Sequence, residues 1–196
     1  MRFHCVYLTA TVIFILLHII LPNAKTVNGN RFVVIEGDMM VDESFVNNTS
    51  KIRKRGAILR RFKSHSFYWP GANSDHRRIV RVPYTLDTGF FSSFFGTGKV
   101  VKAFKKAVDQ FHKRTCIRFE KKTRKDTDYV EIIQGSGCWS QIGRRGGKQQ
   151  VSLGKGCETR GRAIHELMHS IGFLHEQSRL DRDQHIIVLS ENILEG

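Results

Sequence analysis

The segment HELMHSIGFLHE, residues 165–176, contains three histidines in a spacing that favours one metal site. His165 and His169 are four residues apart, so in an α-helix both imidazoles can point at the same ion. Gly172 is predicted to end that helix in a left-handed conformation, which glycine adopts without steric penalty. The chain can then turn back and deliver His175 as a third ligand. Neutral imidazole is a common zinc ligand, and a catalytic zinc takes three protein ligands, so the predicted cofactor is Zn2+.

Glu166 follows the first of these histidines and lies at the edge of the same helix face. From there its carboxylate can act as the general base for a water molecule that attacks a carbonyl. In shuffled sequences of this composition, HExxH is expected about 2 times in 100, and HExxHxxGxxH about once in 10,000. The second frequency is so low that it disfavours the alternative interpretation, in which the three histidines are core residues that share no site.

Two helices are predicted from the spacing of apolar residues. The first covers residues 99–114, where apolar side chains recur at intervals of three and four. Those side chains are Val101, Phe104, Val108 and Phe111. The second is the helix of the histidine motif, which is predicted to run from Thr159, its N-cap, to Ser170.

Four further segments have the composition of strands: 81–86, 115–119, 128–134 and 151–153. Pro83 lies in the first of them and cannot donate a backbone hydrogen bond. That segment is therefore predicted to be an edge strand.

The N-terminal residues 1–24 are interpreted as a signal peptide, which predicts a secreted, extracellular protein. A basic start is followed by an apolar run over residues 6–21 and then by small or polar residues. That run is short for a membrane span, which needs about 20 residues; a membrane anchor is nevertheless the alternative. Two overlapping glycosylation sequons, at Asn47 and Asn48, agree with secretion.

Residues 25–55 are interpreted as a propeptide. They end in a basic cluster over residues 51–55, KIRKR, which in a secreted chain is typical of a processing site. An activating protease is predicted to cut between Arg55 and Gly56, which leaves residues 56–196 as the catalytic domain. The alternative is a solvated run of charges.

The composition is strongly basic, with 32 Lys and Arg against 18 Asp and Glu and a formal net charge of +14 at pH 7. This balance fits a protein that binds nucleic acid or acidic glycans. Secretion separates the chain from nucleic acid, which is therefore not a predicted partner. Association with acidic glycans stays open, beside an enzymatic role or in place of one.

The 22 residues RAIHELMHSIGFLHEQSRLDRD, 162–183, are similar to the signature of the astacin family of metzincins, which are secreted zinc endopeptidases. The similarity extends upstream through TCIRF and GSGCWSQIGRRGGKQQVSLGKGC and covers roughly residues 84–196. It implies an α+β fold, the N-terminal subdomain of a metzincin-like zinc protease, with a mostly twisted sheet and two long helices. It also implies an enzyme that hydrolyses protein or peptide substrates, with the three histidines as zinc ligands and Glu166 as the catalytic base.

The resemblance also gives roles to residues outside the histidine motif. Astacin prosegments carry an Asp in an F-x-G-D motif that occupies the zinc. Residues 35–38, IEGD, resemble this motif with Ile in place of Phe, so Asp38 is the expected latency ligand. In that family the Glu after the third histidine pairs with the mature N-terminal amine, which implies a pairing of Glu176 with Gly56. The family's cleft-edge strand, which pairs with an extended substrate, corresponds to Cys138, Trp139, Ser140 and Gln141.

Three cysteines lie outside the signal peptide, so at least one has no partner within the chain. The resemblance pairs Cys138 with Cys157, and it pairs Cys116 with a cysteine farther downstream in the family.

The family also has a Met-containing turn and a tyrosine ligand after the motif, but only 21 residues follow His175. The C-terminal subdomain is therefore expected to be missing. Two interpretations stay open. The sequence is part of a longer protease made as a zymogen, or it is a truncated, catalytically incomplete metzincin that binds zinc or an acidic surface.

Overall fold

The computed structural model describes residues 24–27, 30–42, 68–74, 77–87, 97–178 and 181–193. The sequons at Asn47 and Asn48, the predicted cleavage position after Arg55 and nearly all of the predicted signal peptide lie outside these ranges. Within them, no helix is both long and apolar enough to cross a membrane.

The described residues form a mixed sheet and two α-helices, which confirms the predicted α+β class. The strands are β1 (Ala24–Val27), β2 (Asn30–Ile35), β3 (Met39–Asp42), β4 (Gly71–Ser74), β5 (Arg77–Leu86), β6 (Ile117–Lys121), β7 (Tyr129–Ile133), β8 (Cys138–Gln141) and β9 (Lys148–Leu153). The helices are α1 (Thr97–Arg114) and α2 (Arg160–Ser170). Along the sheet the strand order is β1-β2-β3-β8-β9-β7-β5-β4, and β6 pairs separately with β5.

Helix α1 packs one face on the sheet, as its periodicity predicts. Phe104 and Phe111 are buried, but Val101 and Val108 are only partly buried at the border of the face. The rest of the buried face consists of Val100, Ala103 and Ala107. The buried face therefore includes the two alanine positions, whereas the two valines lie at its border.

The prediction that residues 81–86 form an edge strand is wrong. Strand β5 pairs in parallel with β6 over Val80–Tyr84 and with β7 over Tyr84–Leu86. The N–H of Val80 donates to the Cys116 carbonyl, so the backbone polar groups of alternate residues from 80 to 84 point towards β6. The backbone nitrogen of Pro83 points to the opposite edge of β5. There it lies between Val80, the last residue paired with β4, and Tyr84, the first residue paired with β7. An interior strand therefore accepts this proline because no ladder bond is lost there.

Strands from the predicted propeptide belong to the same sheet as strands from the predicted catalytic domain. β2 and β3 form an antiparallel hairpin whose turn is residues 36–38, with Ile35 opposite Met39. We call this unit, Asn30–Asp42, the propeptide hairpin. Its strand β3 lies parallel to β8. The sheet thus joins the two sequence regions side by side.

Replacing Phe104 with Ala tests the packing of α1 on the sheet. Phe104 is 1% exposed, and its ring contacts the Tyr84 ring edge-on at 4.9 Å between centroids. Loss of a buried phenyl ring from a packed core is expected to lower the free energy of unfolding by about 3–5 kcal/mol. Urea denaturation followed by circular dichroism measures the change.

The matched control is Lys105→Ala, since Lys105 is the next residue on the same helix and is exposed. Its effect is expected within about 0.5 kcal/mol. Equal effects of the two substitutions would contradict the packing of Phe104 against β5.

Candidate active site

Helix α2 has a capped N-terminus and a buried inner face. Thr159, the predicted N-cap, accepts a hydrogen bond on Oγ1 from the backbone N–H of Arg162 at 3.3 Å. This contact satisfies one of the N–H groups that a helix start leaves unpaired. Ala163 and Leu167 are fully buried in the core. The helix is therefore held in one rotation about its axis, which fixes where its histidines lie.

The C-terminus of α2 ends as the sequence predicts, at Gly172 with a positive φ of 106°. The N–H of Gly172 donates to the His169 carbonyl at 2.8 Å, and the N–H of Phe173 donates to the Met168 carbonyl at 3.0 Å. These two bonds form a Schellman motif, in which the left-handed residue reverses the chain. The reversal brings His175 back beside the helix.

The three predicted histidines converge on one point. His169 Nε2 lies 3.0 Å from His165 Nε2, which lies 3.1 Å from His175 Nε2. The side chains of His169 and His175 are 2% and 9% exposed, whereas that of His165 is 46% exposed. The cluster is thus closed on the protein side and reachable from solvent along one edge.

Hydrogen bonds set the tautomers of two of these rings. His169 Nδ1 donates to the Phe173 carbonyl at 2.7 Å, and His175 Nδ1 donates to a Glu36 carboxylate oxygen at 2.6 Å. In the neutral ring the proton then resides on Nδ1, so Nε2 presents a lone pair to the cluster. Burial lowers the pKa of His169, which favours its neutral form. Each ring, in its neutral form, therefore presents Nε2 to a metal.

Asp38, the predicted latency ligand, points its carboxylate into the histidine cluster. Its Oδ2 lies 3.1 Å from His165 Nε2 and 3.2 Å from His175 Nε2. Its buried Oδ1 lies 3.1 Å from His175 Nε2 and has no hydrogen bond of good geometry among the described residues. One donor atom from Asp38 and from each of the three histidines lies within 4.8 Å of the others. A buried carboxylate oxygen beside converging lone pairs fits a bound cation, because a cation interacts favourably with all four donors.

Glu166, the predicted catalytic base, directly follows His165 on α2 and is 2% exposed. Its Oε2 has no hydrogen-bond partner among the described residues. Burial, and secondarily the charge of Asp38, raises the pKa of Glu166 to about 8. A carboxyl group of this kind can accept or donate a proton within the site.

The predicted cleft-edge strand is β8, and β3 already covers its free side. The N–H of Ser140 donates to the Asp38 carbonyl at 2.9 Å, and the N–H of Ile142 donates to the Met40 carbonyl at 3.4 Å. On its other side β8 pairs with β9. An extended chain therefore already lies along the edge that the resemblance assigns to substrate.

The remaining predicted residues are found in three different settings. A disulfide joins Cys138 to Cys157, with 5.8 Å between their Cα atoms, and connects the start of β8 to the segment before α2. Cys116 is exposed and forms no disulfide among the described residues. Glu176 begins an exposed 3-10 turn, Glu176–Ser178, while its expected partner Gly56 lies outside the described residues.

Sequence reasoning misses several contacts of the propeptide hairpin. Glu36 belongs to the IEGD segment and has no role in the family resemblance, yet it contacts His175 and Ser178. At the other end of β3, Asp42 forms an ion pair with Arg145. These partners are about a hundred or more residues apart in sequence, and no local pattern signals them.

Comparison with known proteins shows the family. A model of the astacin family of peptidases matches residues 75–196. The chain therefore belongs to the astacin family, which confirms the resemblance seen in the histidine motif. Family membership and the donor set together identify Zn2+ as the cofactor.

Individual relatives agree with this assignment. The chain is 42% identical over 149 residues to zinc metalloproteinase nas-6 of Caenorhabditis elegans. This alignment covers 76% of this chain and 39% of the relative. It is 39% identical over 142 residues to an astacin-like metalloendopeptidase of Gallus gallus, and that alignment covers 72% of this chain and 31% of the relative. The chain thus spans 31 to 39% of the length of these two relatives.

A solved structure supports the fold. High choriolytic enzyme 1, a hatching enzyme zinc-protease of the medaka fish Oryzias latipes, matches with a TM-score of 0.55 and 35% sequence identity. The match covers 67% of this chain and 61% of that one. The metzincin-like arrangement of sheet and helices is therefore confirmed.

Replacing Gly172 with Ala tests the turn that positions His175. A side chain at a φ of 106° is strained, so the free energy of unfolding is expected to fall by about 1–2 kcal/mol. The strain also displaces the turn, so weaker Zn2+ binding is expected. Urea denaturation and metal titration measure the two effects.

Gly161→Ala is the matched control, because Gly161 lies in the first turn of the same helix with open space around its Cα. Alanine there is expected to leave stability unchanged or raise it by up to about 1 kcal/mol. A Gly172 variant as stable as this control would contradict the strained turn.

Proposed function

We propose that this chain supplies the zinc site of a secreted endopeptidase that is made as an inactive precursor. The observation that carries the proposal is the convergence of His165, His169 and His175, with Asp38 as a fourth donor. In this proposal the three histidines hold zinc before and after maturation, whereas Asp38 does so only while the propeptide is attached. Imidazole and carboxylate groups are the donors that zinc accepts in catalytic sites.

Glu166 is the general base in the proposed reaction. When bound, zinc supplies Lewis acidity, which polarises a scissile carbonyl and lowers the pKa of water. Glu166 takes a proton from the attacking water and passes it to the leaving amine. Its position supports this role, since it is buried next to His165 and no described donor occupies its Oε2.

Strand β8 is proposed to bind the extended backbone of a protein or peptide substrate. Support comes from the propeptide hairpin, whose carbonyls already accept hydrogen bonds from Ser140 and Ile142. Main-chain pairing of this kind gives affinity without demanding a particular sequence. From the turn of the hairpin it is the Asp38 side chain that contacts the histidines, so in this proposal the hairpin occupies the groove without presenting a peptide bond to be cut.

Maturation is proposed to follow cleavage between Arg55 and Gly56 by an activating protease. Cleavage separates the propeptide hairpin from the catalytic domain and creates a free amine at Gly56, which we assign as the partner of Glu176. Secretion is supported by the apolar N-terminal run and by the Cys138–Cys157 disulfide, a bond that persists in oxidising compartments.

The substitution Glu166→Gln tests the catalytic base. Gln keeps the size of the side chain but cannot accept the proton, so peptide hydrolysis by the matured protein is expected to fall by about 10²–10⁴-fold. Zinc content is expected to stay equimolar, because the three histidines are unchanged. A fluorogenic peptide assay and metal analysis measure these two quantities.

Glu191→Gln is the control, because Glu191 is exposed in a different turn. It is expected to behave as the wild type. Retention of activity by Glu166→Gln would exclude Glu166 as the base, and activity without zinc would overturn the proposed reaction.

The substitution Asp38→Asn tests latency in the uncleaved chain. Loss of the carboxylate charge weakens the contact with the histidine cluster, so peptidase activity of the uncleaved protein is expected to rise. Intact mass confirms that no cleavage has occurred, and Asp109→Asn on the exposed face of α1 is the control. An Asp38 variant that stays silent until it is cleaved would remove Asp38 from the latency mechanism.

A further inference from the structure

The turn of the propeptide hairpin brings two carboxylates to the histidine cluster, at its first and last positions. Asp38 faces the metal-binding nitrogens, whereas Glu36 contacts the far side of His175. Glu36 Oε2 accepts a hydrogen bond from His175 Nδ1 at 2.6 Å, and Glu36 Oε1 accepts one from Ser178 Oγ at 2.5 Å. The two carboxylates thus act on opposite nitrogens of the same imidazole.

Glu36 adopts an unusual backbone conformation in this turn. Its φ is +50°, and no other described non-glycine residue has a positive φ. The left-handed region is disfavoured for side chains with a Cβ. Nothing in the local sequence requires a glutamate there. The contacts with His175 and Ser178 therefore account for a residue that the backbone alone does not favour.

The two buried histidines differ in where the partner of Nδ1 comes from. His169 donates to the Phe173 carbonyl, which belongs to the same turn as the histidines and stays after maturation. His175 donates to Glu36, which belongs to the propeptide. A carboxylate on Nδ1 fixes the tautomer and orientation of a ligating imidazole and raises its basicity. His175 therefore loses this support when the propeptide leaves.

We propose that Glu36 is a positioning residue that holds His175 in its metal-binding form and makes the precursor retain Zn2+ more firmly than Asp38 alone would. This proposal rests on the proposed zinc site. Ser178 serves as the second anchor, because its bond to Glu36 ties the turn after His175 to the same carboxylate. Zinc is consequently loaded and held at the precursor stage, before the support of His175 is removed.

The experiment measures the rate at which Zn2+ passes from the purified, uncleaved chain to an excess of chromogenic chelator. Glu36→Ala removes both contacts and is expected to release zinc about 10–100-fold faster than the wild type. Glu36→Gln keeps an oxygen that can accept from His175 but removes the charge. Its release rate is expected to lie between those of the wild type and of Glu36→Ala. The comparison separates the contribution of the carboxylate charge from that of the hydrogen bond.

A second readout observes the imidazole directly. The Nδ1 proton of His175, hydrogen-bonded to a carboxylate, is expected as a resolved nuclear magnetic resonance signal in the uncleaved wild type. The signal is expected to shift in Glu36→Gln and to be lost in Glu36→Ala. An unchanged signal in Glu36→Ala would overturn the proposal, whatever the stability of the variant.

Asp42→Asn is the matched control within the same hairpin. Asp42 pairs with Arg145 at the far end of β3 and lies outside the histidine cluster. Its variant is expected to release zinc at the wild-type rate. If it released zinc as fast as Glu36→Ala, the effect would come from general loosening of the hairpin, and the specific role of Glu36 would be overturned.

The outcomes also separate this inference from the proposed function. A wild-type chain that binds no zinc would contradict the zinc site itself. A wild-type chain that binds zinc, together with a Glu36→Ala variant that releases it at the same rate, would leave the zinc site intact and refute the role of Glu36.

Discussion

The constraint on which this structure depends is the meeting of three imidazole nitrogens, with His165 Nε2 at 3.0 and 3.1 Å from the other two. Such a meeting needs two histidines on one helix turn and a third that returns from beyond the helix end. Helix α2 supplies the first two because its inner face is buried and its start is capped. The Schellman turn at Gly172 supplies the third. The disulfide to Cys157 then ties the start of β8 close to the N-terminus of the same helix.

The propeptide hairpin uses the two features that a substrate would also need. Its strand β3 pairs with the edge of β8 that β9 leaves unpaired, and its turn lies on the open side of the histidine cluster. Because one hairpin lies on both features, the proposed substrate and the proposed propeptide would compete for one surface. The same hairpin contacts the far side of His175 through Glu36, so the proposed inhibition and the proposed support of the metal site come from one short turn. In the proposed mechanism each of the two carboxylates of that turn has its own role.

Local sequence patterns predicted the elements that are stabilised locally. The helix bounds followed from the Thr159 cap and from the 3 and 4 spacing in α1, although the buried face includes Ala103 and Ala107 and leaves two of the predicted valines at its border. The prediction that residues 81–86 form an edge strand is wrong because it rests only on the missing N–H of Pro83. Whether its missing N–H matters depends on the neighbour that faces it, and strand order is not a local property.

The sequence by itself determined the three histidine ligands. Residues 165, 169 and 175 lie within one helix and one turn, so helical geometry and a glycine conformation are sufficient to bring them together. The tertiary structure alone decided what surrounds them. Glu36 and His175 are 139 residues apart, and their contact requires that β3 pair with β8 in one particular register. That register is set by backbone pairing and side-chain burial across the whole sheet, which no short segment encodes.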